Sequence, residues 1–159
     1  MTLERRCVGA VATREAGREF ARVLHSGSIV LLTGTLGAGK TTFVQGVAEG
    51  LGVRERVTSP TFTVVREHEC HNDQGIATLH HCDVYRVQSL DEVLDLALGE
   101  LVEEDGVALV EWGELAATVF GPDVVRVNFV VESDDVRTVR VEGSRESERL
   151  ATLTGWSES

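Results

Sequence analysis

Apolar and polar positions along this chain follow a helical period in some stretches and a period of two in others, and each change of rhythm marks an element. Ala16, Phe20, Val23 and Leu24 recur at helical spacing, which predicts a helix over 14–25 capped by Thr13. Ser26-Gly27-Ser28 ends it and feeds Ile29-Val30-Leu31-Leu32-Thr33, an apolar run expected to be a buried strand. A glycine-rich loop follows, then an amphipathic stretch that predicts a helix to about Leu51, stopped by Gly52. Val57 to Phe62 reads as a polar loop set by Pro60. Thr61 to Glu69 and Ile76 to Tyr85 then read as strands of a hairpin around the turn His71–Gly75.

The second half keeps the alternation of helix and strand. Ser89-Leu90-Asp91-Glu92 has the form of a capping box, and Leu90, Val93, Leu94 and Leu98 give the short helix behind it a buried stripe. Val107-Ala108-Leu109-Val110 is a fully apolar strand ending in Glu111-Trp112, and 113–120 reads as a further helix closed by Gly121-Pro122. Residues 124–131 and 136–141 predict two strands joined at Ser133-Asp134-Asp135. Leu150, Leu153 and Trp156 give the polar tail after Gly143 a short helix able to dock back, though 144–159 also reads as a tail that frays. This pattern predicts one α/β domain over 1–159, without internal repeat or linker.

The loop between the first strand and its helix carries the sharpest chemistry. Gly34-Thr35-Leu36-Gly37-Ala38-Gly39-Lys40-Thr41 fits G-x-x-x-x-G-K-[ST] in the strand–loop–helix context the phosphate-binding motif requires. Its glycines permit backbone angles that let successive N–H groups converge on one anion. The start of the helix adds partial positive charge. In this reading Lys40 reaches the β- and γ-phosphates of a nucleoside triphosphate, and the Thr41 hydroxyl ligates Mg²⁺.

Composition narrows the rest. The chain has 159 residues, enough for one core, and 42% of them are hydrophobic. No apolar run approaches the ~20 residues that cross a bilayer, and Met1–Arg6 lacks the apolar stretch of a signal peptide. Three cysteines at irregular spacing argue against a disulfide framework, so the cytoplasm is the expected compartment. A net charge of −11 argues against strong direct binding to nucleic acid; any RNA would be held by another protein.

Other residues are candidates for chemistry. Glu111, at the end of a buried strand, stands where phosphate-loop enzymes keep a magnesium carboxylate, and Trp112 follows it as core or as a flat surface near the nucleotide. In His80–Arg86, alternation puts His81, Asp83 and Tyr85 on one face. Asp83 then reads as the acid that orients or deprotonates a water, or as half of a structural Asp–Arg pair. Thr58-Ser59-Pro60-Thr61 reads as a loop that senses the γ-phosphate or as an ordinary connection. His68, Cys70, His80 and Cys82 would form a Cys₂His₂ zinc site if the hairpin brought them to one face.

Taken in order, Leu36–Phe43, Ser59-Pro60-Thr61-Phe62-Thr63, His81-Cys82-Asp83-Val84-Tyr85-Arg86 and Leu109-Val110-Glu111-Trp112 resemble the TsaE family, bacterial ATPases of tRNA threonylcarbamoyladenosine synthesis. The resemblance covers nearly the whole chain. It implies a single P-loop NTPase-like domain with a mixed central sheet flanked by helices, Mg²⁺-dependent ATP hydrolysis, and TsaD and TsaB as partners. By position it implies nucleotide contacts from Leu36, Gly37, Ala38, Gly39, Lys40, Thr41, Thr42 and Trp112. It implies Thr41 and Glu111 on magnesium, Asp83 and Lys40 as the catalytic pair, and the Ser59 loop as a switch. This chain departs from the family pattern at Thr35, where an acid is common, and at Cys82, where a larger apolar residue is usual. Arg137 matches a frequent basic position but is assigned no role.

Three further classes compete. A small-molecule phosphotransferase needs an Arg-bearing lid, whereas Arg86 is followed by acids that include Asp91, Glu92, Asp95, Glu100, Glu103 and Glu104. A GTP switch would carry N-K-x-D, and neither Asn72 nor Asn128 precedes a lysine. A regulatory module that binds ATP without hydrolysing it fits the same acids. If the chain is an ATPase, the lack of an obvious arginine finger predicts slow turnover without partners.

Overall fold

The fold was described from a computed structural model in residues 2–35, 38–57, 65–83, 98–111, 124–143 and 147–158. In chain order the elements are β1 (Thr2–Val8), α1 (Ala10–Phe20) with a 3₁₀ turn (Ala21–Val23), β2 (Ile29–Gly34), α2 (Lys40–Gly50), β3 (Val65–Glu69) and β4 (Thr78–Asp83). They continue as α3 (Leu98–Leu101), β5 (Gly106–Glu111), β6 (Val125–Val131), β7 (Val136–Glu142), α4 (Ser147–Leu150) and β8 (Ser157–Glu158). The switch-like loop at Ser59, Tyr85-Arg86, the capping box at Ser89, Trp112 and the helix expected over 113–120 lie outside the described residues, as do Leu36 and Gly37.

The strands form one mixed sheet in the order β3-β4-β5-β2-β6-β7-β1-β8. Its centre, β4-β5-β2-β6, is parallel, and antiparallel strands flank it on both sides. The centre is apolar in runs rather than in alternation because both of its faces are covered: Val107 to Val110 and Val30 to Leu32 are all fully buried. Strand β2 therefore ends, and its glycine loop begins, between the C-terminal ends of β5 and β6, where open α/β sheets bind their ligands.

Helices α1 and α2 cover the face that presents Val30, Leu32, Leu109, Val127 and Phe129. Phe43 of α2 fills the middle, with its ring centroid 5.5 Å from Phe20 and 5.3 Å from Phe129. The two helices cross at glycines. A Cβ on Gly46 would fall 1.9 Å from the Arg14 carbonyl oxygen, and one on Gly17 would fall 2.2 Å from that of Phe43. Backbone contact at this crossing sets how deeply α2, and the loop before it, sits against the sheet.

One expectation needs correction, and one competing alternative falls. The first helix starts earlier than the apolar spacing suggests. Gly9, at φ +84°, turns the chain out of β1 and precedes the helix, its N–H bonded to Asp135 O at 2.7 Å. Thr13 is buried inside the helix, where its hydroxyl donates back to Gly9 O at 3.5 Å instead of capping. The hairpin register separates the residues of the supposed zinc site. His68 lies opposite Leu79, and His80 lies opposite Glu67, so the two histidines occupy opposite faces. Among the described residues no three metal-ligating side chains cluster. Burial alone pushes the Cys82 thiol up to about 12 and, as the main cause, the Cys70 thiol up to about 11, so both pack as small apolar groups.

Strand β1 is an element the pattern did not disclose. Leu3 and Cys7 point into the core, but Arg5 shares their face and breaks the apolar alternation. Its guanidinium pairs with Glu19 of α1 and lies 6.0 Å from the centre of the Trp156 ring, which brings the C-terminal segment onto the same spot. Leu150, Leu153 and Trp156 are buried there, and β8 pairs with Leu3 and Glu4.

Gly46→Ala should lose about 1–3 kcal/mol of stability by overpacking the crossing, despite the ~1 kcal/mol that alanine gains over glycine inside a helix. Urea unfolding measures this, and a variant as stable as the parent would contradict so close a crossing.

Candidate functional site

Everything at the site follows from how β2 hands the chain to α2. Gly34 takes φ +141°, and a Cβ there would meet Phe129 O at 2.9 Å. Ala38 is buried, with its N–H bonded to Thr35 O at 3.1 Å, and Gly39 takes the left-handed angle φ +99° directly before the helix. No side chain caps α2 and its first turn carries no acid. The N-terminal N–H groups therefore have no side-chain cap at the positive end of the helix dipole, the kind of helix start that suits an anion.

Lys40, the first helical residue, is 5% exposed. Its ammonium donates to Gly34 O at 2.6 Å and Thr35 O at 3.2 Å, so the loop's own carbonyls hold the charge at the loop. One residue on, the Thr41 hydroxyl donates to Glu111 Oε1 at 3.3 Å. Thr42 follows on the outer side of the helix, where it lines a cleft together with Gly39.

Glu111 ends β5 and is 4% exposed. A buried carboxylate is costly unless its oxygens find donors, and each oxygen has one. Thr41 serves Oε1, and the His81 ring nitrogen Nε2 lies 2.6 Å from Oε2. His81 itself is fully buried in β4. Asp83, two residues further, is half-buried and is the register partner of Glu111 on the adjacent parallel strand. Adjacent strands lie about 4.8 Å apart, so the two carboxylate-bearing residues stand side by side at the C-terminal ends of their parallel strands.

Thr41 and Glu111 thus offer a hydroxyl and a carboxylate oxygen next to a phosphate-type loop. This is an oxygen donor set of the kind a hard divalent cation takes, so the residues present fit magnesium.

The structure brings together Ala38, Gly39, Lys40, Thr41, Asp83 and Glu111, with Thr42 alongside. A feature missed by sequence reasoning lies beside them. Gly9, Ala10, Thr13, Gly39, Thr42, Asp134, Asp135 and Arg137 line a cleft of about 230 Å³ that opens next to the helix start. The turn beneath it fixes Arg137, whose guanidinium donates to Ser133 O at 2.7 Å and Asp134 O at 3.1 Å. Its residues are scattered over α1 and the glycine before it, the start of α2, and β7 with the turn that leads into it, so no local motif announces it. A larger hollow of about 860 Å³ opens on the other face of the sheet against Thr33, Arg126, Asn128 and Arg140. It reaches Gly34 and Thr35, but Lys40, Thr41 and Glu111 do not line it.

Comparison with known proteins finds matches over most of the chain. The family model for the threonylcarbamoyl adenosine biosynthesis protein TsaE matches residues 9–140. The tRNA threonylcarbamoyladenosine biosynthesis protein TsaE of Treponema pallidum is 41% identical over 86% of this chain and 98% of its own length. The protein of the same description from Streptomyces coelicolor is 44% identical over 87% of this chain and 94% of its own. Among solved structures, the crystal structure of YdiB from Bacillus subtilis superposes with a TM-score of 0.70 at 32% identity, covering 95% of this chain and 92% of that one.

Proposed function

This chain belongs to the TsaE family of tRNA threonylcarbamoyladenosine biosynthesis, and from that premise we propose that it is the Mg²⁺-dependent, ATP-hydrolysing subunit of that machinery. The observation that carries the reading is the convergence of Lys40, Thr41 and Glu111 on one loop, with Asp83 beside Glu111.

In this reading the loop N–H groups and Lys40 bind the β- and γ-phosphates, since donors fixed in advance gain most where negative charge develops. Thr41 and Glu111 hold magnesium, which when bound neutralises charge on the transferred phosphoryl group. Asp83 orients the attacking water, and its carboxylate accepts the proton that the water gives up. The cleft beside Thr42 takes the nucleoside, with Arg137 and Thr13 in its wall. By the family resemblance, Leu36, Gly37 and Trp112 are further nucleotide contacts in this reading.

TsaD and TsaB are the proposed partners. The acidity of the chain supports contact with tRNA through them rather than directly. Turnover without them is expected to be slow, and its site is the cytoplasm.

Lys40→Ala should weaken ATP binding by at least 10–100-fold, the worth of a charge-assisted hydrogen bond, as read by calorimetric titration. Near-normal affinity would sink the phosphate-loop assignment. Asp83→Asn should leave binding intact and lower the hydrolysis rate about 10²–10⁴-fold. Equal loss of both would make Asp83 a structural residue.

A further inference from the structure

We propose that His81 is the positioning residue of the site: its Nε2–H fixes the rotamer of Glu111 and so sets the affinity for the divalent cation. The inference rests on the reading of Glu111 as a magnesium carboxylate and adds a residue to it.

The geometry is specific. A carboxylate only accepts, so the 2.6 Å contact to Oε2 requires the ring proton on Nε2. The other ring nitrogen, Nδ1, is buried without a hydrogen-bond partner among the described residues, which leaves Glu111 as the ring's polar anchor. A fully buried polar ring that meets one acid is poorly explained by packing, for which leucine would serve as well. His81 holds Oε2 while Thr41 engages Oε1. The carboxylate is thereby stretched between β4 and α2, with one oxygen anchored on the sheet side and the other turned towards the loop.

A carboxylate left to choose among rotamers must be ordered whenever a cation binds. One clamped in advance avoids that entropy cost, and partners that orient metal ligands typically govern 10–100-fold in metal affinity. The adjacent Asp83 takes no part in this contact. The sequence offered half of this arrangement, because alternation places His81 and Asp83 on one face. Nothing local in the sequence shows that the facing strand delivers Glu111 to the ring.

The experiment is a Mn²⁺ titration of the ADP-bound protein followed by electron paramagnetic resonance, beside ADP binding in EDTA. His81→Leu should bind Mn²⁺ about 10–100-fold more weakly, with metal-free ADP affinity unchanged within about twofold. His81→Gln, which keeps an N–H donor at similar reach, should recover most of the loss. Wild-type Mn²⁺ affinity in His81→Leu would overturn the proposal, and so would an equal loss of metal-free ADP binding, which marks a purely structural role. Long-range ¹H–¹⁵N correlation of the wild-type ring provides a check independent of variant folding. The proton is expected on Nε2, and a ring protonated on Nδ1 alone would overturn the proposal. If wild-type ADP affinity ignores Mn²⁺ and Glu111→Gln changes nothing, the reading of Glu111 itself fails, and the role of His81 with it.

Discussion

A carboxylate buried at the end of a central strand is the constraint on which this structure turns. Glu111 is 4% exposed, and an ion so placed is tolerated only where its oxygens are paired. The pairing draws on three elements: β5 supplies the acid, α2 brings Thr41 to one oxygen, and β4 brings His81 to the other. Those contacts require β4 beside β5 in the observed register and α2 close against the sheet. The parallel centre and the glycine crossing of α1 with α2 provide both. Fold and site are therefore one problem in this chain.

The same logic explains the loop. Backbone amides can gather around an anion only where side chains stay out of the way and the backbone takes angles that favour glycine, as at Gly34 and Gly39. The helix start that follows has no side-chain cap, and the Lys40 charge is kept in place by the carbonyls of Gly34 and Thr35. Polar groups that would be costly elsewhere are gathered at the C-terminal end of the central strands, beside the apolar sheet and the packed rings of Phe20, Phe43 and Phe129.

Much of this was legible because local signals carried it. Val107 to Val110 could only be a buried strand, and the glycine–lysine spacing fixed the loop between β2 and α2. The 71–75 turn paired β3 with β4. What escaped depended on contacts distant in sequence. Strand β1 was hidden because Arg5 sits among its inward residues, tolerable only through Glu19 and Trp156 far along the chain. Thr13 looked like a cap because capping and back-bonding use the same residue type, and Gly9 decides between them. The zinc idea assumed a register that would put four residues on one face, and the observed pairing of Glu67 with His80 removes it. The clamp on Glu111 and the cleft with Arg137 each assemble from elements distant in sequence: β4, β5 and α2 for the clamp, α1, α2 and β7 for the cleft.

The proposed role of this loop, with Thr41, Glu111 and Asp83, is ATP hydrolysis that depends on partner proteins. The most direct test measures phosphate release from ATP and Mg²⁺ by the purified chain, alone and with TsaD, TsaB and unmodified tRNA. Slow release alone that rises when the partners are added is the expected result. Release that is absent under both conditions, or indifferent to the partners, would contradict it.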